Sequence, residues 1–272
     1  MRVSELLKTI VDILSPTVER ASREAQLILM YSLGVDELWL LLNQDFMVDN
    51  IQTPISWAKR RSSNEPLEYI SNRVSFYSEE FYISYGALIP RPETELLIDE
   101  VIKNLPNRDE KLIFAEVGVG SGIISVMLAK LYKNAKIIAI DISQDAIEIA
   151  KINIERFGVG GQIELRIGSL LGPITQEIDY LVSNPPYIAN DALLEANLAY
   201  EPQNALFGGA VGDEIIKELL DEVLRRNISF FTCEMGYDQK DKIRTYLNDK
   251  QLKKLEFYKD LSGFDRGFTL RV

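Results

Sequence analysis

The chain contains no histidine and only one cysteine, Cys233. The first absence excludes Ser-His-Asp and Cys-His catalysis, imidazole general bases and histidine-ligated metals. The second excludes an intrachain disulfide. A nucleophilic cysteine would want a histidine partner, and Phe230-Phe231-Thr232 before Cys233 reads as a buried strand, so this thiol is expected to be a small core residue. No uninterrupted apolar run reaches the roughly 18 residues of a membrane span. Met1-Arg2-Val3-Ser4-Glu5 has neither the apolar core nor the small-residue cleavage site of a secretion signal, and a cytoplasmic protein is expected. Basic residues are in deficit, 30 Lys and Arg against 41 Asp and Glu, for a net charge of −11. Residues 1–85 hold eight of the former and 12 of the latter, which puts −4 there and −7 in the remainder. Neither part is the basic surface that a long phosphate backbone selects. Lys59-Arg60-Arg61 is one short basic cluster, read as a solvated helix end. The chemistry therefore runs on carboxylates, backbone dipoles, amides or a cofactor.

What is present is enough for two domains: 272 residues, 46% of them hydrophobic. Residues 1–70 read as a small helical bundle. Val3, Leu6, Leu7, Ile10, Val11 and Leu14 recur at helical spacing until Ser15-Pro16. A second helix is predicted from about Val18 to Leu33, with Gly34 as its C-terminal cap. Asp36 caps a short third helix, and Thr53-Pro54 opens a fourth. Trp39 and Trp57 are read as core residues. The period changes over residues 71–90, where Val74, Phe76, Phe81 and Ile83 suggest a hairpin linking two domains. Arg91 then lies between two prolines and is extended, and Glu93 or Thr94 begins the next helix.

From residue 111 strands and helices alternate. Strands are predicted over 112–117, 136–140, 162–167, 178–183, 228–234, 255–258 and 268–272, with helices over 122–132, 143–157, 213–226 and 237–248. Such alternation means a mostly parallel α/β sheet covered on both faces. Within it, Glu116-Val117-Gly118-Val119-Gly120-Ser121-Gly122 joins the first strand to its helix. Glycines there let the backbone turn sharply and approach a ligand. Asp141 closes the second strand, where a carboxylate can accept both hydroxyls of a ribose. A dinucleotide fingerprint would space its third glycine one residue later. An acid beside the loop suits a cationic ligand better than a diphosphate. The loop is similar to the first motif of Rossmann-like methyltransferases that use S-adenosylmethionine.

The fourth strand ends in Asn184-Pro185-Pro186-Tyr187. The nitrogen of an amide or aromatic amine is a weak nucleophile, because its lone pair is delocalised. A site that uses one must hold both N–H groups with acceptors and support the plane. Asn184 offers a side-chain oxygen, the Pro185 carbonyl a second acceptor, the two rings a stiff backbone, and Tyr187 a flat face. Ligands of open α/β sheets bind at the carboxyl edge to which both loops belong.

Together these segments resemble the glutamine N5-methyltransferases of peptide-chain release factors, the HemK/PrmC family. The resemblance is carried by Glu65-Pro66-Leu67-Glu68-Tyr69-Ile70, Leu88-Ile89-Pro90-Arg91-Pro92-Glu93-Thr94-Glu95, the glycine loop, Asp141-Ile142-Ser143 and Ser183-Asn184-Pro185-Pro186-Tyr187-Ile188. Tyr200-Glu201-Pro202, Ala205-Leu206-Phe207-Gly208-Gly209, Glu234-Met235-Gly236 and Asp265-Arg266 extend it. It implies an N-terminal helical domain (1–70) that docks substrate, a hairpin linker (71–90) and a Rossmann-like, seven-stranded methyltransferase domain (91–272). It implies methyl transfer from S-adenosylmethionine, without a metal, to the glutamine amide of a Gly-Gly-Gln tip, leaving S-adenosylhomocysteine. By position, Glu116, Gly118, Val119, Gly120, Ser121, Gly122, Asp141, Leu170 and Asn184 would contact the cofactor. Asn184, Pro185, Pro186 and Tyr187 would hold the substrate amide and form the catalytic set. A monomer acting on bacterial-type release factors is expected, with no membrane and no stable nucleic-acid partner. The sequence departs from the family in Glu116 for the commoner Asp, Asn72 for a glycine, Ser169-Leu170 for an acid-aromatic pair and Val211 for an acid. The competing readings are an adenine-N6 or guanine-N2 amino-methyltransferase of nucleic acid, which would use a related loop on a flipped base, and a non-catalytic cofactor-binding scaffold.

Overall fold

The computed structural model describes residues 1–272, which form two compact units. One comprises Met1–Arg73 with Leu194–Tyr200, the other Val74–Leu193 with Glu201–Val272. No helix is long and apolar enough to cross a membrane.

The first unit is helical. Its first helix, α1 (Val3–Leu14), buries Val3, Leu6, Ile10 and Leu14, the stripe that three- and four-residue spacing makes. Helix α2 (Ala21–Leu33) starts three residues later than its periodicity suggests. It stops at Gly34, whose φ of +69° suits a residue without a Cβ. Asp36 caps α3 (Glu37–Leu42) by accepting the Trp39 N–H at 2.7 Å. Helices α4 (Gln52–Ser62) and α5 (Leu67–Ser71) follow. Trp39 and Trp57 are half-buried against its core. Asn72 ends α5 at φ +56°, a left-handed turn that asparagine tolerates better than other side chains; this accounts for asparagine in place of the family's glycine. The basic cluster is less solvated than its composition suggests. Arg60 pairs with Glu65, and Arg61 pairs with Glu24 at 3.1 Å, 37 residues away. Only Lys59 is exposed.

The second unit opens with a hairpin, β1 (Val74–Phe76) and β2 (Glu79–Phe81). Its turn places Tyr77 and Ser78 at φ +53° and +63°. The Tyr77 hydroxyl donates to Asp99 at 2.7 Å, and its N–H donates to Glu95, so the strained turn is tied down from outside. Asn153, fully buried, links the hairpin to the glycine loop: its amide nitrogen donates to the Tyr82 and Ser121 carbonyls at 2.8 Å.

Then follow α6 (Glu95–Asn104), β3 (Ile113–Val117), α7 (Ile123–Leu131), β4 (Lys136–Asp141), α8 (Gln144–Arg156), β5 (Ile163–Ile167) and β6 (Tyr180–Ser183). After a short parallel pair, β7 (Ile188–Ala189) and β8 (Phe207–Gly209), with α9 (Gln203–Leu206) between them, come α10 (Glu214–Arg226), β9 (Phe230–Glu234), α11 (Lys240–Tyr246), β10 (Lys254–Lys259) and β11 (Asp265–Arg271). The seven-stranded sheet runs β10-β11-β9-β6-β3-β4-β5. Strands β3, β4, β5, β6 and β9 are parallel, and β11 is antiparallel to both of its neighbours. This is the mostly parallel α/β sheet that the alternation predicts, with the seven strands that the resemblance implies. Cys233 is fully buried in its core, as expected of a small apolar side chain.

Candidate active site

The parallel strands are in one register at their carboxyl ends. Ile140 of β4 faces Val117 of β3, Val117 faces Ser183 of β6, and Ser183 faces Cys233 of β9. The next residue on each strand therefore stands at one level at the carboxyl edge: Asp141, Gly118, Asn184 and Glu234. The order of connection reverses between β3 and β6, and ligands of open α/β sheets sit at such a switch point. The Ser183 hydroxyl donates to the Val117 carbonyl at 2.7 Å and fixes the two strand ends together. A Cβ on Gly118, at φ +78°, would lie 3.6 Å from the Asn184 carbonyl oxygen.

A cavity opens above this row. Its walls include Glu116, Gly118, Val119, Gly120, Ser121 and Asp141. Leu170, Asn184, Pro185 and Pro186 complete the predicted residues that line it. Gly122 stands outside. It precedes α7 at φ +81°, and a Cβ there would lie 3.1 Å from that of Ala150, so its part is to let α7 close on α8. Tyr187 is also off the cavity wall, its ring half-buried against the core and its hydroxyl donating to Glu234 at 3.2 Å.

Two acids serve the cavity. Asp141 accepts the Gly120 N–H on one oxygen and the Ser143 N–H on the other, each at 2.9 Å. Burial raises its pKa and these backbone donors oppose the rise. Each oxygen keeps a lone pair for a further donor such as a ribose hydroxyl. Glu116 is deeper, 1% exposed. Its Oε2 accepts from the Ser125 hydroxyl, while Oε1 has no hydrogen-bond partner. Burial pushes its carboxyl up to about 8, with the Ser125 donors pulling down and the Asp141 charge adding to the rise. A buried acceptor with nothing to accept is costly unless a ligand supplies the donor. An ammonium group fits that demand in charge and chemistry, and Asp141 fits a diol. The residues present thus suit S-adenosylmethionine, which carries both.

Known proteins similar to this chain identify its family. Residues 5–71 match the PrmC N-terminal domain family and residues 92–205 the methyltransferase small domain family. The chain is 36% identical over 234 residues to the release factor glutamine methyltransferase of Koribacter versatilis, covering 83% of this chain and 82% of that one. It is 35% identical over 260 residues to the same-named protein of Clostridium botulinum, with 91% of each covered.

The chain belongs to the release factor glutamine methyltransferase family.

Among solved structures, the human METTL16 N-terminal domain in complex with SAH superposes with a TM-score of 0.52 at 14% identity, over 85% of this chain and 86% of that one. An hMettl16 catalytic domain bound to the MAT2A 3'UTR hairpin 6 gives 0.60, also at 14%, over 79% and 81%. At that identity the likeness is one of fold. Within the release factor glutamine methyltransferase pattern, sequence reasoning gave no role to three residues that the structure ties to the site. Thr94 lines the cavity, accepts from Asn184 Nδ2 at 3.1 Å and donates to Glu234 Oε2 at 2.7 Å. Glu234 is 2% exposed, and burial lifts its carboxyl to about 7 against the pull of Thr94, Tyr187 and Arg266. Glu201 accepts the Ile89 N–H at 2.9 Å and pairs with the Arg91 guanidinium, holding the stretch whose Leu88 and Pro90 wall the cavity. The signal for all three was the set of family segments that contain them, not any local propensity.

Proposed function

We propose that the cavity binds S-adenosylmethionine and that the Asn184–Tyr187 loop presents to it the glutamine amide of a release factor's Gly-Gly-Gln tip. The observation that carries this reading is the common register of Gly118 and Asn184 at the switch point. It puts the glycine loop and the amide-binding loop side by side. The helical unit, 1–70, serves to dock the body of the release factor. Its α3 supports that role by exposing Leu38, Leu41 and Leu42, with Phe46 and Met47 just beyond. Contiguous exposed apolar side chains mark interaction surfaces.

When bound, S-adenosylmethionine supplies an electrophilic methyl group on a sulfonium. Glu116 receives the ammonium of its methionine part, and Asp141 the ribose hydroxyls. The glycines at 118 and 120, at φ +78° and +52°, leave room for close approach. Asn184 Oδ1 and the Pro185 carbonyl each accept one N–H of the substrate amide, so its nitrogen is aimed rather than deprotonated. Positioning of this sort supplies several powers of ten in rate. No strong base is required before attack, because the amide nitrogen becomes acidic only as its new bond forms. That agrees with a site whose polar groups are amides, carbonyls, hydroxyls and carboxyls.

The test is mass spectrometry of a release factor after incubation with the protein and the methyl donor. A gain of about 14 Da on the tip glutamine, CH2 for H, is the expected result. Asn184→Ala should abolish that gain while S-adenosylhomocysteine still binds. An unmodified glutamine with wild-type protein, or full transfer by Asn184→Ala, contradicts the reading.

A further inference from the structure

A primary amide is nearly symmetric in shape and opposite in chemistry on its two sides. One side accepts a hydrogen bond and the other donates two. For Asn184 to hold a substrate N–H it must turn its oxygen into the cavity. A nitrogen there would face the substrate nitrogen donor to donor. Shape alone does not decide between the two, so a neighbour must.

That neighbour is Thr94, whose hydroxyl lies 3.1 Å from Asn184 Nδ2. A threonine hydroxyl has one hydrogen and can act either way round. Its direction is set from behind, where Glu234 Oε2 lies 2.7 Å away. Thr94 and Glu234 are 1% and 2% exposed, so bulk water does not compete for these bonds. The other oxygen of Glu234 takes the hydroxyl of Tyr187 at 3.2 Å. In its ionised form, which prevails above pH about 7, the Glu234 carboxylate only accepts. It therefore draws in both hydroxyl hydrogens. Thr94, with its hydrogen committed, can only accept from Asn184, and the amide must present Nδ2 to Thr94 and Oδ1 to the cavity.

We propose that Glu234 is a positioning residue which, through Thr94, fixes the polarity of the Asn184 amide. The proposal rests on the reading above in which Asn184 receives the substrate amide. It assigns to the ends of β9 and to the start of α6 one joint task. Thr94 precedes α6 but does not cap it with its side chain. Its hydroxyl is used across the site instead, on a residue 140 positions away.

The experiment compares Thr94→Val, Thr94→Ser and Glu234→Gln in the full-length protein. It measures kcat and KM with a whole release factor and, separately, S-adenosylhomocysteine affinity by calorimetry. Thr94→Val keeps the volume and removes the acceptor; kcat should fall about tenfold, the loss of one hydrogen bond in the reacting geometry. Thr94→Ser restores the hydroxyl and should bring kcat back to within about threefold of wild type. Glu234→Gln leaves one acceptor oxygen for two hydroxyl hydrogens, so kcat should again fall about tenfold. In all three, cofactor-product affinity should stay within about twofold. Wild-type kcat in Thr94→Val overturns the relay. So does an equal loss in Thr94→Ser, which would make the methyl packing the cause, or a parallel fall in S-adenosylhomocysteine affinity, which would make the defect structural. A wild-type protein that methylates no glutamine overturns the functional reading first and the relay with it.

Discussion

Gln239 donates from Nε2 to the Tyr187 carbonyl at 3.0 Å. The same nitrogen reaches the Gly212 carbonyl at 3.0 Å, and Gln239 Oε1 accepts the Gly236 N–H at 3.0 Å. One buried side chain therefore pins the far end of the Asn184–Tyr187 loop to the segments that follow β8 and β9. Gly212 sits at φ +88°, and a Cβ on it would lie 2.5 Å from the Tyr187 oxygen. Gln239→Ala is expected to destabilise the protein by about 1–3 kcal/mol by leaving buried polar groups unpaired. Gly212→Ala should do at least as much, by steric overlap and backbone strain together. Thermal melts check the stabilities. Transfer assays should show kcat falling more than cofactor affinity, since neither residue lines the cavity.

Glu116 makes cofactor affinity depend on pH. Its folded pKa of about 8 lies above the ordinary 4.5. Between those values the ligand-free folded protein holds a proton that the unfolded chain has released. Its stability contribution from this group is therefore full below pH 4.5 and is lost as pH rises towards 8. A cationic ligand needs the charged form and expels that proton. Affinity for S-adenosylmethionine should rise with pH by up to about tenfold per unit below 8 and fall again above it, as the ligand's own α-ammonium loses its proton. Calorimetry across pH 6 to 9 (roughly the span of that titration) measures it. In Glu116→Gln the affinity should be lower and the rise absent.

Breaking the Glu201 pair should loosen the cavity wall. The Glu201 side chain is 1% exposed and Arg91 about a third. Glu201→Ala leaves the Ile89 N–H and a guanidinium without their acceptor, and truncating one member of a buried ion pair typically costs about 3–5 kcal/mol. With Arg91 partly solvated the lower end applies. The melting temperature should drop, and S-adenosylhomocysteine should bind more weakly because Leu88 and Pro90 lose their anchor.

The exposed face of α3 separates docking from chemistry. Leu41→Glu with Leu42→Glu adds charge to side chains that are already 70% and 73% exposed, so the fold should be unaffected. KM for an intact release factor should rise about tenfold or more, and KM for a short Gly-Gly-Gln peptide should not. Equal effects on both substrates would place docking elsewhere.

Much of the fold was legible because it rests on period and punctuation. The apolar stripe of α1, the cap at Gly34 and the strand-helix alternation are local signals, and the structure reproduces them within a few residues. The boundaries that shifted lie where tertiary packing takes over: Val18 is buried in the connection before α2 rather than in the helix. The charge cluster at residues 59–61 looked solvated because Glu24, which pairs with Arg61, is 37 residues away. Thr94 looked like a helix cap because capping is what a threonine there usually does; only the tertiary fold brings Glu234 to it. Tyr187 was read as a flat face for the substrate; that its hydroxyl also reaches Glu234, 47 residues away, only the tertiary fold reveals. The pair β7 and β8 went unseen, since strands of two and three residues leave no periodicity to detect.

The alignment of Asp141, Gly118, Asn184 and Glu234 has a broader meaning. Adjacent strands are held about 4.8 Å apart by main-chain bonds that every amino acid can make. The sheet is thus a ruler whose graduations do not depend on side-chain identity. At 14% identity the METTL16 domain shares the fold with few of the side chains. Side chains between the marks can therefore change while the spacing of Asp141, Gly118, Asn184 and Glu234 stays the same.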